Sequence, residues 1–264
     1  MTAAFETLKV EAGGPVGRLT LTRPERLNAL SLQTLEELAT AAAWFDAQPD
    51  VKVVVVGGEG RAFSAGFDLG DFGGVGGGTG GRDSGDTGRR MADAVTDMRA
   101  LTVAAVQGHC VGGGVVLAAA CDLRVAADDA VFSIPEVDLG IPLAWGGIPR
   151  LVRELGPAIT KELVLTCRPF SAEEAQALRF VNRVVPRDRL DQEVDGLATA
   201  LAAKSALTLD VTKRHVNAVT EAMASTGMAF VDTDALQSAL HDPESREVGR
   251  RYLEERARRR QSDA

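Results

Sequence analysis

The run Val51 to Val56 (VKVVVV) constrains this chain more than any other segment. It is too apolar, and too short of alternation, for a strand with one wet face, so it predicts a strand covered on both sides. A helical stretch near Arg89 to Leu101 precedes a second such run, Val103 to Gln107, and a third lies near Leu123 to Ala126 after the apolar segment VVLAAACD. Strand, helix and strand in alternation predict parallel pairing with right-handed crossovers. Upstream, Val16 to Thr22 (VGRLTLT) alternates as a half-buried strand does, and Arg23-Pro24 ends it. Ser31 is placed to cap a helix in which Leu35, Leu38, Ala42 and Phe45 recur at helical spacing, closed by Pro49-Asp50. Strand signals stop near Pro186, after which Leu190 to Ser205, Leu207 to Ala224 and the chain beyond Met228 read as helices. The expected organisation is an α/β core over residues 1–195 and a helical region over 196–264.

Glycine is unevenly spread. The stretch Gly70 to Gly88 holds 10 of the 28 glycines, and the rest of the chain has the ordinary frequency. Such a segment has little apolar surface to offset its ordering entropy, so a flexible insert over 70–88 is expected. Apolar residues at 45% and charged residues at 25% are the balance of a soluble globular chain. No apolar run approaches the roughly 18 residues that span a bilayer, and the first residues carry no signal-peptide pattern. Cys110, Cys121 and Cys167 are odd in number and lack metal-ligand spacing. A reduced, cytoplasmic protein without structural disulfides or a metal is expected. A net charge of −8 argues against a nucleic-acid partner. Arg250, Arg251, Arg256, Arg258, Arg259 and Arg260 nevertheless form a local basic patch opposed by Glu254 and Glu255. It reads either as a solvated helix end favoured by the helix dipole or as a phosphate site.

Three segments invite chemistry: Arg61 to Phe72 (RAFSAGFDLGDF), Val106 to Asp122 (VQGHCVGGGVVLAAACD) and Phe132 to Arg150, which carries Glu136 among apolar residues. A glycine cluster opening a helix exposes backbone N–H groups and a partial positive charge. Two such clusters can aim two amides at one carbonyl oxygen as it becomes an oxyanion. Tight packing turns would explain the glycines equally well. These two clusters are not the dinucleotide fingerprint, which wants GxGxxG with an acidic residue about 20 residues later, and no GxxxxGK[ST] phosphate loop is present. His109 and Cys110 lack a motif that pairs them, and Asp122 reads as a structural cap or ion-pair partner.

Four motifs in order, RPERLNAL (Arg23 to Leu30), FSAGFDL (Phe63 to Leu69), GHCVGGG (Gly108 to Gly114) and FSIPEVDLGIP (Phe132 to Pro142), resemble the crotonase superfamily, that is the enoyl-CoA hydratase/isomerase family. The resemblance implies a right-handed spiral of ββα units with a C-terminal helical trimerisation region, and a homotrimer or homohexamer. It implies an acyl-CoA substrate, no cofactor beyond the CoA moiety itself, no metal, and no nucleotide redox cofactor. It implies that the amides of Phe67 and Gly113 stabilise a thioester enolate, and that Arg26, Leu27, Ala65, Phe67, Asp68, Leu69 and Gly113 line the CoA site. Of the two glutamates of family hydratases, the first position here is Val116 and the second is Glu136. Hydration divides work between two carboxylates, whereas shifting a double bond needs one base, so the pattern resembles a 3-enoyl-CoA isomerase. A hydratase working with one carboxylate and a non-catalytic acyl-CoA-binding relative are the alternatives. The aspartate used by some relatives falls on Ala144, while Asp138 should point away on an extended segment. Trp145 would wall the acyl pocket or fill the core. Tyr252 matches an aromatic position near CoA, but Glu255 replaces the lysine expected after it.

Overall fold

The computed structural model describes residues 2–71 and 80–262. Its larger sheet begins with β1 (Thr2–Ala4), β2 (Leu8–Ala12) and β3 (Val16–Leu21), an antiparallel meander at one edge. It continues in parallel through β4 (Val53–Gly58), β6 (Leu101–Val106), β8 (Leu123–Ala127) and β11 (Arg183–Val185). A second sheet pairs β5 (Ala62–Ser64), β7 (His109–Val111) and β9 (Val131–Ser133) in parallel, with the short β10 (Phe170–Ser171) antiparallel at its edge. Each pass of the chain thus lays one strand in each sheet, β4 then β5, β6 then β7, β8 then β9. Helices α2 (Gly80–Asp97) and α3 (Gly113–Ala120) follow the first two of these pairs. This is the repeated ββα unit.

The valine run is apolar throughout because both faces of the large sheet are covered. Val53 and Val55 pack with Val103, Val125 and the Leu190, Val194, Ala198 and Ala202 side chains of α7 (Leu190–Ala202). Val54 and Val56 face the other way, into the main core with Leu35, Leu38 and Phe45 of α1 (Leu32–Asp46) and Met91 and Val95 of α2. The Ser31 hydroxyl caps α1 by accepting from the Thr34 amide at 3.1 Å. Helix α7 spans residue 195 and belongs to the sheet's outer layer.

The stretch 70–88, expected to be a flexible insert, is helical in its last part. Residues 72–79 lie outside the described residues, but 80–88 form the first half of α2. Glycine is needed there for close approach rather than freedom. A Cβ at Gly85 would stand 2.8 Å from Thr233 Oγ1, and one at Gly88 would overlap the Trp145 indole. Thr233 also donates to Asp86 Oδ1 at 3.0 Å.

Beyond the second sheet come α4 (Gly147–Leu155), α5 (Pro157–Thr166) and α6 (Ala172–Ala177). Helix α8 (Ala206–Met223) is anchored by Lys213, whose ammonium donates to Asp122 Oδ2 at 2.8 Å and to the Ala100 carbonyl at 3.0 Å. Its Leu207, Val211, Val216, Val219 and Met223 are exposed. Helix α9 (Asp232–His241) packs on α2. In α10 (Pro243–Ser262), Gly249 lies against the Leu139 carbonyl, which sets that helix beside the turn after Glu136. No helix among the described residues is long and apolar enough to cross a membrane.

Candidate active site

A cavity of about 530 Å³ opens where the three glycine-bearing segments converge. The turn Pro24–Arg26 forms one lip. Leu27 and Asn28 leave it in the left-handed conformation at φ 52° and 53°. Asn28 is buried and acts as the local lock. Its Oδ1 accepts from the Arg23 amide, and its Nδ2 donates to the carbonyls of Glu59 and Ala62 at 2.9 and 2.8 Å. The Ala65 amide donates to the Leu27 carbonyl, and the Leu30 amide to that of Gly66, so the segment after β5 is laced to this turn. Arg23 reaches across to Asp68 Oδ2 at 2.8 Å. Burial raises the Asp68 pKa, but the Gly70 amide and the Arg23 guanidinium outweigh it and hold the carboxyl below its ordinary value.

Gly66 brings this segment onto the second glycine cluster. A Cβ there would stand 2.7 Å from the Val111 carbonyl oxygen and 3.6 Å from the Gly113 nitrogen. Gly113 opens α3, where a helix's first amides have no intrahelical acceptor. Phe67 and Gly113 both line the cavity. So do Arg26, Leu27, Ala65, Asp68 and Leu69, with Arg26 and Leu69 the most exposed of these and Asp68 tied to Arg23.

Glu136 enters from the opposite wall, in the turn after β9. Gly112 makes room for it: φ is +50°, and a Cβ there would overlap Glu136 Oε1. The residue is half-buried, but its Oε2 is sealed from solvent and has no hydrogen-bond partner among the described residues. Burial pushes the carboxyl from its ordinary 4.5 up to about 7, and a backbone hydrogen bond pulls only weakly against it. That is the range in which a carboxylate works as a general base at neutral pH. The other wall carboxylates differ in kind, since Glu25 is exposed and Asp68 is ion-paired. Val116 occupies the wall one turn into α3, fully buried, with Ile141, Leu143, Ala144, Trp145 and Leu236 completing an apolar interior.

The remaining expectations sort cleanly. Asp138 is exposed and outside the cavity wall. His109 is exposed, and Cys110 is a buried thiol whose pKa burial drives far up, which leaves it inert. Asp122 is structural, accepting from Thr102 and Lys213. At the C-terminus, Arg250 and Arg251 pair with Glu247, Arg250 also with Glu254, and Arg258 stands 4.0 Å from Glu254. Arg256 alone of the described patch lines the cavity, together with Arg26 and Arg61. Tyr252 does not line it, and the side chains of Arg259 and Arg260 lie outside the described residues. Sequence reading missed Arg23, Asn28, Arg61 and Leu236. The left-handed pair in RPERLNAL was the one available signal, because an asparagine tolerates that conformation.

Two sheets wound by repeated ββα units, with glycine-lined turns meeting at one cavity, define a protein of the crotonase fold. The chain belongs to the enoyl-CoA hydratase/isomerase family, whose model matches residues 11–261. It is 35% identical over 264 residues, 96% of this chain and 97% of the relative, to a probable enoyl-CoA hydratase of Mycobacterium tuberculosis. It is 34% identical to the peroxisomal Δ3,5-Δ2,4-dienoyl-CoA isomerase of Arabidopsis thaliana over 87% of both chains. Among solved structures, an enoyl-CoA hydratase from Mycobacterium avium subsp. paratuberculosis superposes with a TM-score of 0.84 at 27% identity, covering 94% of this chain and 99% of that one.

Proposed function

We propose that the chain shifts the double bond of a 3-enoyl-CoA to the 2-position, with Glu136 as the sole proton carrier. The observation that carries this reading is the unpartnered Glu136 Oε2 in an apolar cavity whose other candidate carboxylate position is Val116. In the forward direction the Glu136 carboxylate takes a proton from the α-carbon. The amides of Phe67 and Gly113 hold the thioester oxygen as negative charge develops on it. Glu136, now the acid, returns the proton at the γ-carbon, and the double bond comes to rest in conjugation with the thioester. The sequence is redox-neutral and moves one proton, so the chemistry calls on no redox cofactor or metal.

CoA lies along the turn Pro24–Arg26, with Arg26, Arg61 and Arg256 facing its phosphates and Ala65, Leu27 and Leu69 beside its thioester arm. The protein works as a homotrimer or a homohexamer assembled through the exposed apolar residues of α8, in the reducing cytoplasm. Its three unpaired cysteines support the last point.

The test compares initial rates on 3-enoyl-CoA and on the matching 2-enoyl-CoA, the second read as 3-hydroxyacyl-CoA. Faster isomerisation supports the proposal. Hydration equal to or faster than isomerisation makes the chain a hydratase that works with one carboxylate and water. Absence of both, with acyl-CoA still bound, makes it a binding relative.

A further inference from the structure

Trp145 is held by more constraints than a core aromatic needs. Its backbone is left-handed at φ 62°, a region in which a bulky residue is a genuine outlier, and Gly146 follows at φ 68°. The Gly146 amide is fixed by Asp232 Oδ2 at 2.9 Å, at the start of α9. The indole sits between glycines of two different helices. A Cβ at Gly88 of α2 or at Gly113 of α3 would overlap its ring. The indole also packs against the Phe67 ring in a T-shaped pair, with centroids 5.8 Å apart and planes at 86°. Trp145 therefore contacts both residues whose amides the proposed reaction uses, and lines the cavity beside Val116, Leu143 and Leu236. Strain of this kind persists where surrounding structure over-determines it, and it concentrates at ligand-facing positions.

We propose that Trp145 is the specificity-determining residue of the acyl site. Its indole closes the cavity behind the thioester and limits the acyl group to a short hydrocarbon chain. The chain is unsubstituted because Val116, Ile141, Leu143, Ala144 and Leu236 offer no polar side-chain partner, and a hydroxyl or charge there would be desolvated without compensation. This assignment rests on the acyl-CoA reading above and names its substrate class.

Saturated acyl-CoA esters of increasing chain length test it by calorimetry on the wild type, Trp145→Ala, Trp145→Phe and Gly88→Ala. Turnover of the corresponding 3-enoyl esters is measured in parallel. Wild-type affinity should peak at short chains. Trp145→Ala should move the peak to longer chains, by about tenfold or more for the first ester that the wild type rejects, as a methylene's worth of pocket commonly gives. Gly88→Ala should push the indole into the cavity and move the peak the other way. Should Trp145→Ala fail to fold, Trp145→Phe decides by the same readout, since it keeps an apolar ring and frees part of the space. A wild type that binds long chains as well as short ones, or a length preference unchanged in the folded variants, overturns the proposal. Shifted binding without turnover of any ester would instead sink the isomerase reading and leave the pocket assignment standing.

Discussion

Glu136 and Gly112 are fitted to one another: the carboxylate oxygen Oε1 fills the space that any side chain on Gly112 would take. The glycine that lets the chain turn into α3 also makes room for the Glu136 carboxylate beside Gly113.

Replacing Gly112 by alanine should therefore displace Glu136 as well as strain a left-handed backbone. The strain alone, at φ 50° and ψ −113°, is expected to cost about 1–3 kcal/mol, read as a lower melting temperature. The displaced carboxylate should lower kcat more than it raises KM. A variant that loses stability and keeps its full kcat would show that the contact is only structural.

Glu136→Gln keeps the side-chain volume and removes the base. Isomerisation should fall by about 10²–10⁴, with saturated acyl-CoA affinity nearly unchanged. Retained activity would mean that another group carries the proton.

The pH dependence follows from the same residue. As a base, Glu136 must be ionised, so kcat/KM should rise with pH through an apparent pKa near 7. Stability runs the opposite way. The folded pKa lies above the ordinary 4.5, so the contribution is fully present below about 4.5 and is lost as pH rises through about 7. The loss amounts to about 3 kcal/mol if the whole shift is realised. Glu136→Gln should be more stable than the wild type at pH 8 and similar to it at pH 4.5, by denaturant melts at both values. A stability difference that does not change with pH would contradict the raised pKa.

Arg256→Ala should weaken CoA binding, most visibly at low ionic strength where screening is least. Arg258→Ala serves as the control, because that side chain is exposed and near Glu254 rather than in the cavity wall. Equal effects from both would point to general charge rather than a contact.

The exposed side chains of α8 give a test of assembly. Val211→Asp together with Val216→Asp should lower the mass measured by light scattering from that of a trimer or hexamer to that of a single chain. An unchanged mass would place the interface elsewhere.

The central strands of the large sheet, β3, β4, β6 and β8, were legible because each is five or six residues long, whereas β1, β2 and β11 were not read from the sequence. Val53–Val56 and Leu101–Val106 lie between two apolar layers and announce it. The second sheet was not, since β5, β7, β9 and β10 are two or three residues long and too short for any period to show. At the site, Glu136, Phe67 and Gly113 were reached through motifs, and all three line one cavity. The pairing of Arg23 with Asp68, 45 residues apart, had no local signature. The helix over 80–88 was not visible in a glycine-rich composition for a physical reason. Composition registers their freedom in the unfolded chain, whereas in α2 Gly85 and Gly88 serve as seats for Thr233 and Trp145.

The cavity wall draws on residues from Glu25 to Arg256, and its last contributors, Leu236 and Arg256, lie on α9 and α10. During synthesis the sheet and Glu136 emerge well before those helices do. A chain without those two helices would lack the Leu236 and Arg256 parts of the wall around Glu136. The wall around Glu136 is thus complete only when residues more than two hundred positions apart along the chain have come together.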